Sequence, residues 1–200
     1  MRLDSGGRHD GGGTVTEHTM AKQYTQLTDD LSDFIRRQKI FFVGTAASDG
    51  RVNVSPKGMD TLRVVSANRV VWLNLTGSGN ETAAHLLENN RITLMFCAFE
   101  GAPLILRLYG QAQVFHPRDA EWECLASFFP AIPGARQIVD ASIDLVQTSC
   151  GWGVPLFDFK DERDQLEKWA ENKGPEGIRK YWEERNQQSI DGKPTGISAK

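Results

Sequence analysis

The sequence is poor in cysteine: its 200 residues hold only Cys97, Cys124 and Cys150, widely spaced and with no CxxC pair. An odd, scattered set does not make a disulfide framework, so the pattern reads as free thiols in a reducing, cytoplasmic setting. The four histidines (His9, His18, His85 and His116) lack HxxxH spacing and have no cysteine near enough to complete a zinc signature, so no metal site is expected. Long apolar runs are missing too. The longest largely apolar stretch, residues 92–99, falls far short of the roughly 20 residues that span a bilayer and reads as a buried strand. Nor is there an excess of positive charge: 23 basic against 26 acidic residues give a net charge of −3. Bulk attraction to nucleic acid or to an anionic membrane is thereby excluded.

What is present suits one core domain. Apolar residues make up 40 % and charged residues 24 %, ordinary proportions for a folded chain. Residues 1–20 are polar and glycine-rich, without the apolar centre of a secretory signal, and are read as a disordered arm or expression remnant. The core domain is placed at residues 21–160, with a helical extension over 161–200 packed on it.

Along the core, Leu31, Phe34 and Ile35 share a helical face over residues 27–39, with Thr28 placed to cap. Strands over 40–46 and 51–57 flank Ser48-Asp49-Gly50, a hairpin signal and therefore antiparallel. Strands over 61–66 and 69–76 repeat the scheme around Ala67-Asn68. A short helix is expected over 80–90, then two long strands over 91–99 and 103–115. After His116-Pro117, residues Trp122, Leu125, Ala126 and Phe129 keep helical spacing. Pro130, Pro133 and Gly134 then break the chain ahead of a short segment. Residues 141–149 form a further strand whose inward set is either Ile143, Leu145 and Gln147 or the alternate residues. Two helices, 161–172 and 175–187, divide at Gly174-Pro175 and turn Leu166, Trp169, Ala170, Ile178 and Trp182 inward. This order predicts a mainly β fold: a small, closed antiparallel barrel with peripheral helices.

Three segments carry possible chemistry. Thr76-Gly77-Ser78-Gly79-Asn80-Glu81-Thr82 follows a strand and opens a helix, as a phosphate cradle does: glycines let backbone approach, and free N–H groups face the anion. It reads equally as a helix cap with Asn80 in the capping position. A dinucleotide reading fails because Thr82 stands where a third glycine or alanine belongs and the strands pair antiparallel. Asn53-Val54-Ser55-Pro56-Lys57 ends a strand on proline and lysine, which points to a sheet edge. There Lys57 either meets a phosphate or ring edge or is solvated. Cys150-Gly151-Trp152-Gly153 sets a tryptophan between two glycines just past a strand, suited to a stacked planar ligand or to a core or interface aromatic.

Taken together, and in this order, the three segments resemble the pyridoxamine 5′-phosphate oxidase-like FMN-binding split-barrel family over about residues 25–160. The resemblance implies an antiparallel, Greek-key-like split barrel. It also implies FMN as cofactor, held by Asn53, Val54, Ser55, Pro56 and Lys57, by Leu75 and Thr76, by Ser78, Gly79, Asn80, Glu81 and Thr82, and by Cys150, Gly151, Trp152 and Gly153. It implies a homodimer with FMN at the subunit interface, the last segment reaching the partner's cofactor. The expected activity is FMN-dependent oxidoreduction of a small molecule, with no catalytic acid or base named. A non-catalytic flavin or tetrapyrrole carrier and a deazaflavin-dependent reductase are the alternatives. The chain departs from the oxidases at three points. Glu81 and Thr82 replace an arginine and a lysine beside the phosphate, Val52 stands where an arginine is expected, and the tail lacks the Arg-x-His motif that holds the oxidases' substrate. The phosphate is then left to backbone N–H groups, Asn80, Thr82, Lys57 and Arg107.

Overall fold

Thr28 opens the first helix as its side chain requires: its Oγ1 accepts the Leu31 N–H at 3.3 Å. In the computed structural model, which describes residues 21–198, this helix is α1 (Asp29–Arg37). Asp29 and Asp30 occupy its first turn and Arg36 and Arg37 its last, each sign matched to the helix dipole, while Leu31, Phe34 and Ile35 are buried. The expectation for residues 1–20 lies outside the described residues.

Eight strands form one sheet: β1 (Lys22–Tyr24), β2 (Phe41–Thr45), β3 (Asn53–Lys57), β4 (Leu62–Ser66), β5 (Arg69–Leu75), β6 (Arg91–Cys97), β7 (Ile105–Phe115) and β8 (Ala135–Ser149). Their order is β3-β2-β6-β7-β8-β5-β4, with β1 beside β8, and every pairing is antiparallel. The sheet curls, since Phe41 on β2 meets Trp72 on β5 edge-to-face at 6.4 Å although β6, β7 and β8 separate their strands. Inside lie Val43, Val70, Trp72, Leu94, Phe96, Leu106, Leu108 and Val146, each at most 1 % exposed. A second cluster on the outer face sets Leu125 of α3 (Trp122–Ala126) against Val71, Leu73 and Ile138.

The expected closure is corrected. β3 and β4 are the two ends of the strand order, so the barrel is split between them. They are joined by residues 58–61, where Met59 and Asp60 take left-handed φ of 62° and 51°. Pro56 fits such an edge because it has no N–H for a further strand.

Other boundaries differ for identifiable reasons. β1 is an unforeseen three-residue strand held by Val146, Gln147 and Thr148. β8 starts at Ala135, six residues earlier than expected, because polar Arg136 and Gln137 disguise its first turn of the pleat. The inward set of its second half changes phase. Tyr109 pairs Leu145 but Gly110 pairs Ile143, so Asp144 is an extra residue and Ala141, Ile143 and Val146 turn inward. α2 (Glu81–Glu88) is close to its expected span, whereas α3 is a single short turn. The tail span α4 (Gln165–Arg185) is two helices that divide, as expected, at Gly174, whose φ of 65° and ψ of 170° are not helical, just before Pro175. Among the described residues no helix is long and apolar enough to cross a membrane, and no cluster of three metal-ligating side chains occurs.

The bulge at Gly110 admits only glycine: a Cβ there would sit 1.9 Å from the Ser142 carbonyl oxygen. Gly110→Ala must push two backbones apart, and we expect a loss of about 3 kcal/mol or more, seen as a lower urea midpoint. A midpoint within experimental error of the wild type would show that the bulge is not rigid.

Candidate functional site

Alternation along β3 sorts its five residues by face. Asn53, Ser55 and Lys57 are half-buried, whereas Val54, at 67 % exposure, and Pro56 face solvent. On the inner side Ser55 Oγ donates to Asn53 Oδ1 at 2.7 Å, and Asn53 Nδ2 donates to Thr45 Oγ1 and Thr82 Oγ1 at 3.1 and 3.2 Å. Thr45 Oγ1 in turn lies 3.1 Å from His85 Nδ1. β3 is thereby fastened to the start of α2, which unites two of the three segments singled out in the sequence.

Lys57 reaches inward. Its Nζ donates to Asn74 Oδ1 at 3.3 Å, Asn74 Nδ2 donates to Gln137 Oε1 at 3.1 Å, and Gln137 Nε2 lies 3.2 Å from His116 Nε2. Burial, with the charge of Arg136 adding to it, pulls the Lys57 ammonium down to about 8. Burial and then the neighbouring Arg118 hold His116 below its usual value. Near neutral pH the amine still keeps its proton, so it stands at the β3 edge as a charged donor.

The loop over residues 76–82 is anchored at its start. Thr76 donates through N and Oγ1 to the Gly134 carbonyl at 2.9 and 2.7 Å and accepts from Trp182 Nε1 at 2.8 Å. Its next three carbonyls are all engaged: Asn186 Nδ2 donates to Gly77 at 3.1 Å and Ser78 at 3.5 Å, and Arg136 Nη1 donates to Gly79 at 3.0 Å. By contrast, among the described residues no hydrogen bond uses the backbone N–H of residues 77–80, and residues 77–79 are exposed. The capping reading of Asn80 is corrected. Its side chain makes no cap bond, is buried, and donates to the Asn186 carbonyl at 3.5 Å while Oδ1 finds no partner. Glu81 accepts the Ile190 N–H at 3.1 Å on each oxygen.

Cys150-Gly151-Trp152-Gly153 is not brought to this loop, because it leaves the far end of β8 from Arg136. Gly151 holds φ at +69°, with a Cβ there falling 2.8 Å from Leu104 N, while Cys150, Gly153 and Trp152, the last at 67 %, are exposed. Arg107 lies at that same far end, where its Nη1 donates to Ser149 Oγ. The cation at the loop is Arg136, which sequence reasoning missed. It is 2 % exposed, makes no salt bridge among the described residues, and is drawn down to about 10 by burial. Its only signal was a charge two residues after Gly134 and two before the apolar pair Ile138-Val139.

Four consecutive unpaired N–H groups backed by a buried cation without a counter-ion are the donor set that a phosphate dianion requires. The FMN phosphate fits here. Acceptance by Asn53, Ser55 and Lys57 of a planar ring is compatible with their half-buried face.

The chain is similar to known proteins. Residues 27–150 match the family model described as pyridoxamine 5′-phosphate oxidase. A pyridoxamine 5′-phosphate oxidase family protein, UstO of Aspergillus flavus, is 37 % identical over 191 residues, covering 86 % of this chain and 76 % of its own. Among solved structures, HupZ of Group A Streptococcus is 20 % identical over 60 % of this chain and 91 % of its own, with a TM-score of 0.48. The FAD binding protein of Mycobacterium smegmatis is 15 % identical over 62 % and 96 %, with a TM-score of 0.44.

Lys57 should leave a mark on stability. Folded, it binds its proton less tightly than in the unfolded chain, so between pH 8 and 10.5 the unfolded state holds more protons and stability rises with pH. Relative to Lys57→Met, the wild type should gain about 2 kcal/mol from pH 8 to 10 in urea melts. A difference that stays constant over that window would place the ammonium in solvent.

Proposed function

Since this chain belongs to the pyridoxamine 5′-phosphate oxidase family, we propose that it is an FMN-dependent oxidoreductase acting on a small conjugated or heteroaromatic molecule. The carrying observation is that the unpaired N–H groups of residues 77–80 and the inward side chains of β3 are fastened together through Asn53 and Thr82. The flavin, when bound, supplies hydride or electron transfer. The chain's own residues do the rest. The 77–80 N–H groups bind the phosphate, Asn53 and Ser55 fix the edge of β3, and Lys57 presents a charged donor from that edge. Val54 and Pro56 face the other way, so they contribute backbone rather than side chains.

A homodimer completes this reading. Trp152, Leu156, Phe157 and Phe159 are exposed by 67, 72, 59 and 44 % within one extended stretch, apolar area suited to a second copy. The distance of Cys150–Gly153 from its own loop along β8 suits service to a partner's cofactor. Free Cys97, Cys124 and Cys150 accord with a reducing cytoplasm.

The substrate is not pyridoxamine 5′-phosphate on this reading, because the tail carries no Arg-x-His motif. We expect the apoprotein to quench FMN fluorescence saturably. The loaded protein should release little hydrogen peroxide from pyridoxamine 5′-phosphate in air. Absence of any flavin binding would defeat the reading. Oxidase turnover near one per second or above, within the ordinary enzyme range, would restore the family's name activity.

A further inference from the structure

The loop over residues 76–82 contains neither lysine nor arginine, yet a positive charge reaches it from behind. Arg136 Nη1 bridges the Gly79 carbonyl at 3.0 Å and Asn186 Oδ1 at 2.8 Å, and Asn186 Nδ2 holds the carbonyls of Gly77 and Ser78. In a planar trans peptide the C=O and the following N–H point in opposite directions. Holding the carbonyls of residues 77, 78 and 79 from the protein side therefore turns the N–H groups of Ser78, Gly79 and Asn80 the other way.

Asn186 is itself fixed. It is fully buried, its N–H donates to the Trp182 carbonyl at 3.0 Å, and its carbonyl accepts Thr195 Oγ1 at 2.5 Å. The burial of Arg136 also points to an anion. Among the described residues its buried guanidinium has no carboxylate partner and its Nε no hydrogen-bond partner. A buried charge held only by neutral acceptors is costly unless something of opposite sign shares its field. The nearest carboxylate on the loop, Glu81, is taken up by the Ile190 N–H.

We propose that Arg136 and Asn186 are the positioning residues of the phosphate cradle. They orient its peptides, and Arg136 supplies from β8 the positive potential that Glu81 and Thr82 do not supply from the loop. The ligand chemistry is a phosphate monoester, which on the reading above, and resting on it, is the FMN phosphate. Neither residue touches the ligand; both act through the carbonyls of residues 77–79.

The test compares FMN with riboflavin, which differs only in lacking the phosphate. Both are titrated into apoprotein of the wild type, Arg136→Met, Arg136→Lys and Asn186→Ala, with circular dichroism melts confirming that each variant is folded. Wild type should prefer FMN. Arg136→Met should lose at least about tenfold in FMN affinity, the scale of hydrogen bonds involving a charged group, and leave riboflavin unchanged. Arg136→Lys should recover part of the loss, and Asn186→Ala should weaken FMN selectively. Inorganic phosphate should compete with FMN in the wild type. Phosphate that binds without displacing FMN would assign the cradle to a free phosphate and overturn the cofactor assignment. Equal losses for both flavins, or an unaltered FMN preference in a folded Arg136→Met, would overturn the positioning role. Failure of the wild type to bind either flavin would instead remove the FMN reading itself.

Discussion

Strand β8 has more neighbours than one straight strand can serve. It pairs with β7 along most of its 15 residues, with β5 over its first half and with β1 over its second. The same edge therefore passes from β5 to β1 along its length. The bulge between Gly110 and Ile143 provides the bend, and the curl it imposes brings Phe41 of β2 to Trp72 of β5. The split edge between β3 and β4 faces the consequences of that curl. It is where Lys57 can enter the interior and find Asn74.

β8 also explains why the polar residues sit where they do. Its first half contributes Arg136 and Gln137, which meet the loop before α2 and the lysine from β3, while its last residue opens onto Gly151 and Trp152. Among the described residues two cations, half-buried Lys57 and buried Arg136, are held by neutral acceptors only. Elsewhere the chain pairs its charges conventionally at the surface, as in Arg69–Asp140 and Lys193–Glu88. Stability alone gives no reason for this contrast, because a buried unpaired cation weakens a fold. On the proposed reading it is a field held ready for an anion.

Much of this was legible in the chain itself. Thr28 as a cap, the Asp49-Gly50 turn, the alternation of β3 and Pro56 at an edge are local rules obeyed locally. The family resemblance rested on the order of such elements. What remained hidden was decided at a distance. Gln137 and Arg136 look like loop residues until Asn74, Lys57 and Asn186 are folded against them. The extra residue Asp144 broke an alternation that seemed open to either phase. Asn80 occupies a capping position by its neighbours, but a partner 106 positions away takes its side chain instead.

The bond from Asn186 to Gly77 spans 109 positions, and that interval is also a delay. During synthesis, at roughly 5–20 residues per second, the loop leaves the ribosome about 5–20 seconds before the side chain that orients its carbonyls exists. The glycines of the loop leave it free to turn in either sense during that time. On the proposed reading, the phosphate cradle is set only once Asn186 has been made, after every strand of the sheet.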